Sequence, residues 1–94
     1  EIEILFANNF SIDVYPNPII DQKLNINFQS PVKSNAQLVI YDIMGKQVYN
    51  TNIVCSPDNY HTKEISVSGL PSGMYFINLI VENHKAFAKF VKNN

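Results

Sequence analysis

The sequence predicts an all-β domain, an antiparallel sandwich of about seven strands, and three observations carry that prediction. Apolar and polar residues alternate in segment after segment, the pattern of strands with one buried face. Turn residues recur at spacings of roughly 8–12 residues, as they do between the strands of a sandwich. No stretch carries a helical period. The 94 residues fit one small core.

Phe10, Ile12 and Val14 alternate with Ser11, Asp13 and Tyr15 in the first strand, which runs into Pro16-Asn17-Pro18. Each proline fixes its own φ, removes an amide donor and pushes the preceding residue towards extended geometry. A central strand cannot continue through this, so the segment leaves the sheet or runs along an edge. Leu24, Ile26 and Phe28 define a second strand that ends at Ser30-Pro31. Ala36, Leu38 and Ile40 form one face of a third, with Val39 and Tyr41 on the other. Asp42-Ile43-Met44-Gly45-Lys46 reads as a hairpin loop in which Gly45 supplies a positive φ. Val48 and its neighbours return as a fourth strand towards Ile53 or Val54, and Ser56-Pro57-Asp58-Asn59 is a turn cluster.

Ile65 and Val67 mark a fifth strand, and Ser68-Gly69-Leu70-Pro71-Ser72-Gly73 makes a compact corner. Tyr75, Ile77, Leu79 and Val81 then form the longest alternating strand. Glu82-Asn83-His84-Lys85 is expected to be a two-residue hairpin with positive φ at Asn83 and His84. A last strand runs from about Lys85 to Lys92, and Ala86, Ala88 and Phe90 compete with Phe87 and Val91 for its inward face. The Leu-turn-Gly-x-Tyr corner before the penultimate strand resembles the tyrosine corner of immunoglobulin-like sandwiches, which makes Tyr75 an architectural residue. The fold class is therefore an immunoglobulin-like β-sandwich.

Composition narrows the function. A net charge of −1 provides no field to steer the domain to nucleic acid or an anionic membrane, and no segment is long and apolar enough for membrane insertion. All seven cationic side chains are lysines. Cys55 stands alone, so no internal disulfide forms, and it is expected to pack as a small apolar residue at a strand end. His61 and His84 lie far apart without ligands at metal spacing and are expected to be exposed. No nucleophile, phosphate-loop or dinucleotide motif is present, so neither catalysis nor a cofactor is expected. Asn9-Phe10-Ser11 matches the N-glycosylation pattern, at a frequency that chance explains in so asparagine-rich a chain. Tyr41, Tyr49 and Tyr60 are candidates for a sugar-binding platform, the alternative function being an extracellular adhesion or carbohydrate-binding module. The chain begins with Glu, which reads as a piece from the end of a longer protein.

Pro16-Asn17-Pro18, Leu24-Asn25-Ile26, Ile40-Tyr41-Asp42-Ile43-Met44-Gly45-Lys46, Leu70-Pro71-Ser72-Gly73-Met74-Tyr75 and Lys89-Phe90-Val91-Lys92 follow one another along the chain. This series resembles the C-terminal sorting domain (type A) of the type IX secretion system of Bacteroidota. The resemblance covers roughly residues 12–94 and leaves 1–11 as the junction with upstream cargo. It implies a non-catalytic address that directs the cargo on its N-terminal side through the periplasm and across the outer membrane, to the cell surface or the medium. The implied partners are the translocon and shuttle components and a sortase-like cysteine protease that removes the domain. The matching positions are Pro16, Asn17, Pro18, Gly45, Lys46, Gly73, Tyr75, Lys89 and Lys92. The terminal lysines can be read two ways, as protection of an exposed edge strand or as a basic tag recognised directly. An exposed last strand also suggests β-augmentation by a partner.

Overall fold

A computed structural model describes residues 10–30, 33–55 and 60–93 of the chain. Seven strands run in order: β1 (Ile12–Tyr15), β2 (Lys23–Gln29), β3 (Ser34–Asp42), β4 (Gln47–Cys55), β5 (Tyr60–Ser66), β6 (Gly73–Val81) and β7 (His84–Lys92). They form a three-stranded sheet, β1-β2-β5, and a four-stranded sheet, β4-β3-β6-β7, with every pair of neighbours antiparallel. The chain changes sheets after β2, β4 and β5. This is the immunoglobulin-like sandwich, with the fourth strand beside β3 in the larger sheet. The Ser56–Asn59 turn cluster, Pro31, the Asn9 acceptor site and nearly all of the proposed cargo junction lie outside the described residues.

The period-2 patterns become the core. Leu24, Ile26 and Phe28 from β2 and Ile65 from β5 meet Leu38 and Ile40 from β3 and Ile77, Leu79 and Val81 from β6 in one buried cluster. At roughly 1.5–3 kcal/mol for each fully buried aliphatic or aromatic side chain, this row is the main force holding the sheets together. Val39 points away from it, yet is also buried. It lies on a central strand, opposite Asn50 on one side and Asn78 on the other.

Cross-strand packing settles the ambiguity in β7. Ala86, Ala88 and Phe90 face the core, and Phe90 stacks on Tyr75 with ring centroids 5.2 Å apart. The β6–β7 loop is then one residue earlier than the sequence suggests. Val81 pairs with His84, leaving Glu82-Asn83 as the two loop residues, and the positive φ falls on Glu82 (55°). The histidines are also not simply exposed. His61 stacks on Phe28 and His84 meets Phe10 edge to face, both half-buried.

β1 is the edge of the smaller sheet. After the two prolines, whose preceding peptide bonds are both cis, the chain reaches the other sheet. Ile19 bridges Lys92 in parallel, and its amide donates to the Val91 carbonyl at 2.9 Å. The proline bracket thus carries the chain over to the edge of β7 before it returns to the smaller sheet as β2. It covers the terminal part of the free edge of β7, which the sequence left open for a partner strand.

Candidate functional site

The conspicuous sequence segments gather at one end of the sandwich, where β3 and β7 finish and β6 begins. Asp42 pairs with Tyr75, Tyr75 with Phe90, and Gly73 with Lys92. Three clasps hold this end together.

The first clasp is the side chain of Asn17. A primary amide carries both donor and acceptor. Asn17 uses both against the edge of β7, with Nδ2 donating to the Lys89 carbonyl at 3.1 Å and Oδ1 accepting from the Val91 amide at 3.0 Å. It replaces a neighbouring strand for two of the unpaired backbone groups. The prolines on either side limit the conformations Asn17 explores before it docks.

The second clasp is the corner. Tyr75 is buried, and its hydroxyl donates to the Pro71 carbonyl at 2.5 Å. Burial, and after it the negative charge of Asp42, pushes the phenol above its ordinary value. Gly73 enters β6 at a φ of 153°, a conformation that side-chain-bearing residues rarely adopt. The adjacent Leu70 carbonyl accepts from Lys92 Nζ.

Lys92 therefore does not stand on the surface. It is 3% exposed, follows Phe90 on the inward face of β7, and ends inside the corner. Once the stacking on Tyr75 turns Phe90 inward, Lys92 follows, since residues i and i+2 share a face. Lys89 has the opposite parity and is exposed. The two terminal lysines that looked equivalent lie on opposite faces of β7.

The third clasp is the β3–β4 hairpin. Asp42 Oδ1 accepts from the Met44 and Lys46 amides, both at 2.9 Å, while the Asp42 amide donates to the Lys46 carbonyl. Gly45 takes the positive φ of 84°. Gly45 thus supplies the positive φ expected of it, and Asp42 closes the turn around it. An aspartate three residues before a loop glycine was the available clue, because its carboxylate closes the turn. Between this hairpin and the corner lies a shallow cavity of about 210 Å³ lined by Asp42, Met44, Ser72 and Tyr75. Met44 at its rim is 86% exposed.

Chemistry is sparse elsewhere. Among the described residues, no group of three or more His, Cys, Asp or Glu gathers in one place. Cys55 is buried at the end of β4 and donates to the Ile53 carbonyl, and burial pushes its thiol up, away from the reactive thiolate. The three candidate platform tyrosines are dispersed. Tyr49 packs against the core, Tyr41 lies on the outer face of the larger sheet, and Tyr60 lies across from Gln29 on the outer face of the smaller one. No shared sugar-stacking plane exists between them.

The family model for the secretion system C-terminal sorting domain matches residues 13–93. No curated protein matches the chain.

Proposed function

Because this chain belongs to the type IX secretion C-terminal sorting domain family, we propose that it is a non-catalytic export signal that carries the polypeptide on its N-terminal side across the outer membrane. The observation that supports this most strongly is the fate of the family-type motifs. Asn17, Gly73, Tyr75 and Lys92 are consumed in building one rigid end. They leave a preformed surface to be recognised and supply no reactive constellation. A prefolded signal pays little ordering entropy on docking.

In this reading the domain passes through the periplasm, is bound by translocon and shuttle components, and delivers its cargo to the cell surface or the medium. A sortase-like cysteine protease then removes it. The dispersal of Tyr41, Tyr49 and Tyr60 weighs against the carbohydrate-binding alternative. The test is a fusion of the 94-residue chain behind a signal peptide and a reporter, expressed in a host with this secretion machinery. Reporter outside the outer membrane is expected; its retention in the periplasm sinks the proposal. In a host lacking the protease, the exported fusion is expected to keep the mass of the domain.

A further inference from the structure

The outer faces of the two sheets differ in kind. On the smaller sheet the outward positions include Asp13, Asn25, Asn27, Thr62 and Glu64, and its two exposed rings, Tyr15 and Tyr60, stand two rows apart with polar residues between them. On the larger sheet Tyr41, Phe76 and Lys89 form one cross-strand row, with Phe87 and Met74 on the rows either side. Phe87 is 67% exposed and Phe76 41%. Isolated exposed apolar residues are ordinary, but a contiguous set on one flat face marks an interaction surface.

Charge gives the character of the occupant. Lys85 and Lys89 flank Phe87 on the same face of β7 and are both exposed. Strands β4, β6 and β7 contain no Asp or Glu. The single carboxylate of β3, Asp42, is committed to its hairpin amides, and Glu82 sits in the turn beyond the sheet. A second copy of the chain is a poor occupant, because two such faces would set lysines against lysines with no compensating acid. Two lysines are also too few for a membrane surface, which is typically held by clusters of about 4–8. We infer that the outer face of β4-β3-β6-β7 docks a protein surface that presents apolar side chains together with carboxylates. Phe76 and Phe87 are the anchors, and Lys85 and Lys89 set orientation and encounter rate.

This inference rests on the sorting reading, and the same reporter fusion tests it separately. Phe76→Ser, Phe87→Ser and the pair Lys85→Glu/Lys89→Glu are each expected to lower the exported fraction about tenfold, whereas Thr62→Glu on the smaller sheet leaves it unchanged. Retention of the unsubstituted fusion overturns the sorting reading and this inference with it. Export of the unsubstituted fusion together with undiminished export of the lysine pair overturns the inference alone. Should the serine variants unfold, the lysine pair decides, since both side chains are exposed. A photo-crosslinking residue at position 87 is expected to attach, in secreting cells, to a partner peptide containing Asp or Glu, and the lysine reversal removes that adduct. Attachment to lipid, polysaccharide, a second copy or a peptide without carboxylates overturns it.

Discussion

On β7 the even-numbered residues Ala86, Ala88, Phe90 and Lys92 turn into the sandwich, while Lys85, Phe87, Lys89 and Val91 turn away from it. The inner row stacks on Tyr75 and bonds the corner carbonyl of Leu70. The outer row packs against nothing comparable, and Lys85, Phe87 and Lys89 stand exposed. One strand therefore carries both construction and display, separated only by the alternation of a pleated backbone. The lesson concerns the Lys-x-x-Lys spacing at 89 and 92. An odd separation on a strand puts its two members on opposite faces, so a shared motif does not imply a shared role.

Removing the inner row has the largest expected effect. Phe90→Ala deletes a fully buried ring stacked on Tyr75 and is expected to cost about 3–5 kcal/mol. Each kcal/mol corresponds to roughly 4–8 °C in Tm for a domain of this size. A thermal melt close to that of the unsubstituted domain would break the division between the faces.

Next comes Lys92→Ala, expected to cost about 1–3 kcal/mol through the lost bond to Leu70 and the lost packing of the aliphatic stem. Export then falls in step with Tm. Lys92→Met keeps most of the stem and recovers part of the loss, so comparing the two melts separates packing from the hydrogen bond. If Lys92→Ala lowers export at unchanged Tm, the inner lysine is itself read by the partner.

Tyr75→Phe removes the hydroxyl that caps Pro71 and is expected to cost about 1 kcal/mol at neutral pH. It also sharpens the pH behaviour. The phenol is pushed above its ordinary 10.0, first by burial and then by Asp42. The folded protein thus holds this proton more tightly than the unfolded chain. Its contribution is complete below the ordinary value and is lost as pH rises through the folded value. The Cys55 thiol, raised by burial from 9.0, acts in the same sense and begins lower. Urea midpoints measured against pH are expected to fall more gently above pH 10.0 in Tyr75→Phe than in the unsubstituted domain. Equal slopes assign the alkaline loss to other groups.

The smallest effect on stability belongs to the outer row. Lys89→Ala is expected to stay within about 0.5 kcal/mol of the unsubstituted domain, its backbone carbonyl still available to Asn17. A large fall in Tm would show that the outer face also builds the fold.

Much of the fold was legible because burial imposes a period of two on every strand with one wet face. Leu24, Ile26 and Phe28, and Tyr75, Ile77, Leu79 and Val81, declare their inward sets without help from the rest of the chain. The Gly45 turn and the Gly-x-Tyr corner were equally local, since each depends on neighbours within five residues. The last strand was not legible, because two alanines and a phenylalanine compete with a phenylalanine and a valine for the same interior. Only the stacking of Phe90 on Tyr75 and the pairing of Ala86 with Leu79 choose between them. With that choice fixed, Lys92 follows Phe90 inward.

The sequence by itself determined the strands, the buried faces of those with clear alternation, and the local chemistry of the Gly45 turn and the Gly-x-Tyr corner, all of which depend on short-range periodicity and backbone preference. Tertiary structure alone decided what Pro16-Asn17-Pro18 does and which terminal lysine is displayed. Those outcomes depend on contacts such as Asn17 with Val91, separated by 74 residues, and a hydrogen bond across that distance leaves no periodic trace in either partner.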